Sequence, residues 1–229
     1  EVNENIIVVL FSGRPLDIRA IKAKAKAILE VWMPGTEGAG AIADVLYGAY
    51  NPTGKLPMSF PYCVGQVPVH YNEYATGRPH VEGKDKDRFR SKYLDIPNEP
   101  LYPFGYGLSY TTFAVSEVSL DKNSMKDGES IQAAVTVKNT GTCAGTETVQ
   151  LYLHDVAASV VRPVKELKDF RKVTLQPGEE TSVEFTITEP QLRFLSENHI
   201  FESEAGVFEV FIGTDSATAN KAKFTLEKQ

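Results

Sequence analysis

LYPFGYGLSYTTF, Leu101 to Phe113, places five aromatic residues and two glycines in thirteen uncharged positions, with neither a helical nor a strand period. The chain is written in different styles on its two sides, so the reading of this stretch decides how the fold divides. A flexible joint would be rich in Gly and Ser. Bulky rings separated by Gly105 and Gly107 instead describe a packed joint, since glycine lets the backbone run close beside large side chains. The stretch reads as a weld between two domains.

Upstream of it, IIVVLF (6–11) is a short apolar run rich in β-branched residues, as in strands buried on both faces of a parallel sheet. Ser12 to Pro15 break the chain, and Asp17 is placed to cap a helix running through Ala27. AILEVW (27–32) is a second buried strand. MPGTEGAG then turns into a helix over 40–48, with Ile42, Val45 and Leu46 on one face and Thr36 or Glu37 as its cap. NPTG (51–54) is a turn and KLPMSF (55–60) a third extended segment. Alternating strands and helices predict an α/β domain. It stops after about 60 residues, where a doubly wound domain needs roughly 100 or more. The first part therefore reads as the C-terminal piece of a larger three-layer α/β sandwich.

Downstream the period changes to two. FAVSEVSL, SIQAAVTVKNTG, TETVQLYLHDV, VKELKDFRKVTL, TSVEFTIT, GVFEVFIGTD and AKFTLEK alternate apolar and polar residues between turn signals such as Asp127-Gly128 and Pro177-Gly178. Seven short strands without a convincing helix predict an all-β sandwich of immunoglobulin or fibronectin type III style. The expected division is 1–60 for the α/β part, 61–112 for a long loop and junction, and 113–229 for the β-sandwich.

Composition removes several function classes. A net charge of −6 argues against nucleic-acid binding, which needs a basic stripe for phosphates. No apolar run approaches the roughly 20 residues of a membrane span, and the first residues lack the pattern of a signal peptide. Cys63 and Cys143 fall in different expected domains and read as free thiols. Gly38-Ala39-Gly40-Ala41-Ile42-Ala43 matches a dinucleotide fingerprint between strand and helix, but no acidic residue follows a second strand about 20 positions on. Small residues packing a helix against a sheet explain it as well. Gly107-Leu108-Ser109-Tyr110-Thr111 lacks the final glycine of a nucleophile elbow. His70, His80, His154 and His199 have no zinc spacing, so no metal site is expected.

SGRPLDI (12–18), VWMPGTEGAGAIADVLYGAYNPTGKLPMSFP (31–61), NEYATGRP (72–79), LYPFGYGLSYTTF (101–113), DVAASVVRPVKELKDF (155–170) and FEVFIGTDSA (208–217) follow one another in order. Together they closely resemble the C-terminal part of family 3 glycoside hydrolases, the β-glucosidase group and its bacterial members especially. Members are built as a (β/α)8 barrel, an α/β sandwich and a fibronectin-like domain. The resemblance implies retaining hydrolysis of terminal β-D-glucosyl or related residues by an aspartate nucleophile and a glutamate acid/base, with no cofactor. In the family the nucleophile belongs to the barrel, and the acid/base precedes the strand that matches IIVVLFSGRP. No catalytic residue maps onto this sequence, and the missing barrel and upstream sandwich segment become its implied partners. Periplasmic or secreted residence ranks ahead of cytoplasmic.

Residues 60–100 fit neither half: they are rich in Pro, Tyr and charge and have no period. Long loops of that kind in compact domains are functional or linking. Within it His70, Tyr71, Arg78, Arg88 and Tyr93 are the candidate substrate-binding residues. Aromatic faces stack on sugar rings, and guanidinium groups donate paired hydrogen bonds to hydroxyls. The competing reading is a non-catalytic carbohydrate-binding or adhesion sandwich. It requires aromatics exposed on strands, whereas at least three of Tyr152, Phe185, Phe208 and Phe211 read as core.

Overall fold

The computed structural model describes residues 3–80 and 87–228. Residues 81–86, which belong to the candidate loop, lie outside the described residues. Strand β1 (Ile7–Leu10) pairs in parallel with β2 (Ala27–Glu30), with Ile7 opposite Ala27. Helix α1 (Arg19–Lys22) lies between them and helix α2 (Gly38–Leu46) follows. The expected helix through Ala27 stops early. Ile18 takes the cap position, and Asp17 binds the Arg19 side chain at 2.8 Å rather than forming a full capping pair. Glu37 stands at the cap of α2 but makes no side-chain capping bond. Of the three residues expected on the inner face of α2, Ile42 and Val45 are half-buried and Leu46 is exposed.

The expected third strand, 55–60, does not join the β1–β2 sheet. It runs beside the junction instead. Phe60 N–H donates to Tyr102 O at 2.9 Å, Leu56 N–H to Tyr106 O at 2.8 Å, and Gly105 N–H to Leu56 O at 2.8 Å. Ile18, Phe60 and Leu101 form a small buried cluster, with Trp32, Tyr62 and Tyr102 packed on it. Phe11, Met33 and Tyr47 of this part remain exposed.

The second part is a sandwich. Strands β3 (Phe113–Val115), β4 (Ser119–Leu120), β5 (Ser124–Lys126), β6 (Ser130–Asn139), β7 (Gly145–Asp155), β8 (Glu166–Leu175) and β9 (Glu180–Thr188) come first. A short hairpin of β10 (Phe194–Leu195) and β11 (Phe201–Glu202), then β12 (Gly206–Gly213) and β13 (Lys221–Glu227), complete it. One sheet has the order β5-β13-β12-β7-β8. In the other, β6 is flanked by β9 on one edge and by β3 and β4 on the opposite edge.

Alternation decides which face of each strand is buried. Ile131, Ala133, Val135 and Val137 of β6 meet Val149, Leu151 and Leu153 of β7 in one continuous core, joined by Phe185, Phe208 and Phe224. Strands β7 and β12 are exceptions: Glu209 and Phe211 on the other face of β12 are buried, and so are Thr148, Gln150 and Tyr152 on the other face of β7. That second face is covered by the junction and the start of the long loop.

Candidate functional site: the junction and its loop

Each aromatic of the junction has a partner. Tyr102 stacks on Tyr106 at 5.1 Å between ring centres and meets the edge of Phe60 at 6.4 Å. The Tyr110 hydroxyl donates to Val45 O at the end of α2. Phe104 faces the other way, stacking on Tyr71 at 4.3 Å, and Tyr71 in turn meets the ring of Tyr152 at 5.8 Å. Phe113 packs on the sandwich core. The rings therefore grip both domains. Burial, reinforced by nearby Tyr71 and Asp215, pushes the Tyr152 hydroxyl well above its usual range, so it stays a neutral donor, here to Gln150.

The glycines fit the tight path. Gly105 has φ of +80°, and a Cβ there would lie 2.2 Å from Gln150 Oε1. A Cβ on Gly107 would lie 2.3 Å from the carbonyl oxygen of Gly54.

Polar residues complete the joint, and no local pattern in the sequence marks them. Lys55 Nζ is 2.7 Å from Glu147 Oε1 and donates to Gly107 O at 2.9 Å, with only 14% and 9% of the two side chains exposed. Asn51 accepts from Ser109 Oγ and Tyr110 N–H at 3.0 and 2.8 Å, and donates to Ala144 O at 2.9 Å. Gln150 donates to Gly105 O and Thr214 O at 3.2 and 2.7 Å.

The long loop starts from this weld. Buried Gln66 closes its base, donating to Pro97 O at 2.9 Å and Glu99 O at 3.2 Å. The early residues lie along the β7–β8 connection: Val164 N–H donates to Glu73 O at 2.9 Å, and Leu167 N–H to the Tyr71 hydroxyl at 3.2 Å. Tyr71 is thus held within the weld, while His70, Arg78, Arg88 and Tyr93 are exposed. The backbone brings Arg78 beside Ser91, whose N–H donates to Arg78 O at 2.8 Å, and Arg90 bonds Asp87 at 3.0 Å and Pro79 O at 3.1 Å. Tyr93 N–H is held by Asn98 Oδ1 at 3.0 Å. Arg88 precedes Phe89, which has φ of +62° and is 81% exposed. The loop therefore presents guanidinium groups and aromatic rings to solvent from anchored ends. Among the described residues no group of His, Cys, Asp or Glu could hold a metal ion.

The connection on which the loop rests carries its own titrating group. Burial, only partly offset by a backbone hydrogen bond and Arg162, raises the Asp155 carboxyl to about 6, and Asp155 Oδ2 is buried without a partner. An unfolded aspartate titrates near about 4. Between those values the folded chain binds more protons, so this group's contribution to stability is present below about pH 4 and is lost as pH rises through about 6. Asp155→Asn is expected to raise Tm at pH 7.5 and to flatten the Tm profile between pH 4 and 6. An unchanged profile would exclude Asp155 as its source.

Comparison with known proteins agrees with this architecture. Residues 1–110 match the glycosyl hydrolase family 3 C-terminal domain, and residues 147–216 match a fibronectin type III-like domain. Over 96% of the chain, the sequence is 50% identical to a periplasmic β-glucosidase of Salmonella typhimurium, covering 29% of that protein. It is 43% identical over 92% of its length to a β-xylosidase of Formosa agariphila, covering 28% of that protein. The structure superposes on a mutant β-glucosidase from Listeria innocua in complex with laminaribiose with a TM-score of 0.92 at 46% identity. That match covers 97% of this chain and 31% of the other. The chain spans under a third of the length of these relatives. It belongs to glycosyl hydrolase family 3, of which it holds the C-terminal domain and the fibronectin type III-like domain.

Proposed function

We propose that the chain is the C-terminal portion of a retaining β-glucosidase acting on terminal β-D-glucosyl or related residues. In this reading it supplies scaffold and the rim of the substrate pocket, while the nucleophile and acid/base come from the rest of the enzyme. The observation that carries the reading is near-complete superposition on part of a β-glucosidase in complex with laminaribiose. The exposed apolar residues of the α/β part support it, because such sheets have both faces covered in complete domains. The domain limits at 60 and 112 belong to the same proposal. So does periplasmic residence, by analogy with the Salmonella protein.

The carbohydrate-module alternative loses the four strand aromatics weighed for it. Tyr152, Phe185, Phe208 and Phe211 are all buried, so they offer no platform on the sheet faces.

Release of nitrophenol from an aryl β-glucoside is expected from the intact enzyme and not from the 229-residue chain alone. Turnover by the short chain would place catalytic carboxylates within it and overturn the assignment. In the intact enzyme, Arg78→Ala or Tyr93→Ala is expected to lower kcat/KM by about tenfold or more, the scale of one lost charged hydrogen bond or aromatic contact. Unchanged kcat/KM in both variants would remove the loop from the pocket rim but leave the hydrolase reading intact.

A further inference from the structure

The sandwich has a cleft of about 750 Å³ at the pole opposite the junction. Strand β6 sets the separation. Its Asn139 end is buried and accepts from Thr111 Oγ1 of the junction at 2.7 Å, whereas Ser130, nine residues away, lines the cleft. At strand rise that is about 30 Å. The cleft is thus remote from Thr111, while the β7–β8 connection on which residues 70–95 rest reaches the same pole, where Ser159 N–H donates to Glu204 at 2.8 Å.

One wall of the cleft is aromatic. Phe201 lies in the β10–β11 hairpin with 65% of its surface exposed, and Leu195 stands directly opposite it across the hairpin. The floor is polar and fixed. Buried Glu189 accepts from Arg193 Nε at 2.9 Å and from Ser203 Oγ, and Lys228 bridges Glu189 and Asp127 at 3.5 and 2.8 Å. The hydrogen bond from Arg193, backed by Ser203, holds the Glu189 carboxyl down at about 2, so it is an acceptor throughout the physiological range. Glu189 engages Arg193 Nε and one amino group, which leaves the donors of the second amino group for a ligand.

The charge balance selects the ligand class. Carboxylates Asp127, Glu129, Glu189 and Glu202 face two cations, Arg193 and Lys228, and Lys122 pairs with Glu129 from outside the lining at 2.9 Å. Four against three leaves one carboxylate in excess, which disfavours an anion. The deepest carboxylate is already saturated by Arg193, and no cluster among the described residues suits a metal ion. An exposed ring beside unused guanidinium donors fits a neutral molecule with an apolar face and many hydroxyls. Sugar C–H faces lie flat on an aromatic ring, and adjacent hydroxyls pair with guanidinium donors and carboxylate acceptors. Because the ion pairs already fix Arg193 and Glu189, binding would order few side chains and lose little entropy.

We infer that this cleft is a binding site for a neutral oligosaccharide, with Phe201 as its platform and Arg193 as its principal donor. The inference is independent of the hydrolase reading. Calorimetric or NMR titration of the 229-residue chain with a neutral gluco-trisaccharide tests it. Saturable binding is expected below about 10 mM, weakened at least about tenfold in Phe201→Ala and kept within about threefold in Phe201→Tyr. Arg78→Ala should leave this binding unchanged, which separates the cleft from the loop. Phe201 is mostly exposed, so the variant should retain the parent circular dichroism spectrum. Absence of saturation by about 50 mM, or equal binding by parent and Phe201→Ala, would overturn the site.

Discussion

Lys55→Met is expected to destabilise the chain by about 3–5 kcal/mol, the usual scale for removing one partner of a buried ion pair. Glu147 lies beneath the junction with 9% of its side chain exposed, and Lys55 is its cation at 2.7 Å. Without Lys55 the carboxylate stays desolvated and Gly107 O loses a donor as well. A second substitution sharpens the test. Lys55→Met combined with Glu147→Met should recover most of the loss, because the cost lies in the unpaired charge more than in the absent attraction. Urea unfolding reads the effect at two places: fluorescence of Trp32, the single tryptophan, reports the α/β part, and far-ultraviolet circular dichroism is dominated by the sandwich. Coincident transitions in the parent should separate in Lys55→Met, with the Trp32 transition moving to lower urea. Equal midpoints for parent and variant would show that the pair contributes nothing to the weld.

Gly105→Ala is expected to cost roughly 2–6 kcal/mol, as the sum of two separate penalties. An alanine at φ of +80° is strained by about 1–3 kcal/mol. Its methyl would also press on Gln150 at 2.2 Å, forcing that side chain off its bonds to Gly105 O and Thr214 O, with about 1–3 kcal/mol of overpacking. Gly178→Ala separates the two. Gly178 has φ of +79° with nothing within 4 Å of where its methyl would sit, so it carries only the backbone penalty. If denaturant midpoints fell equally in both variants, close packing against Gln150 would have no energetic weight. The structure requires Gly105→Ala to fall further.

How far the fold was legible depends on what each residue pattern reports. Period-two alternation reports burial on one face. It located the seven long runs of the sandwich within a few residues of β3 and β4, β6 to β9, β12 and β13. It could not report that β7 buries both faces. Gln150 looks solvent-facing until Gly105 covers it, and Tyr152 until Tyr71 does. The same limit explains the segment 55–60, whose composition specified an extended chain but not its neighbour. Its backbone bonds went to Tyr102 and Tyr106, more than 40 residues away. Helix α1 was overestimated because apolar spacing continued beyond Lys22, while the chain turned to bring Ala27 opposite Ile7.

For the candidate loop, the sequence supplied residue types and the structure supplied allegiance. Tyr71 looked equivalent to Tyr93 as a sugar platform, yet one stacks on Phe104 inside the weld and the other is 41% exposed. Lys55, Glu147, Asn51 and Gln150 escaped detection altogether. Asn51 reaches Ala144 across 93 positions and the Tyr71 hydroxyl reaches Leu167 across 96, separations at which no local pattern survives.

Local pattern was enough to order an α/β part, an aromatic joint and a β-sandwich along the chain, because period, turn residues and ring content are properties that each short segment carries alone. Folding in three dimensions was needed to select which polar groups close the joint, which loop aromatic is buried and where the cleft opens. Those depend on which distant surfaces meet, and desolvation at the contact then fixes which side chains must find partners.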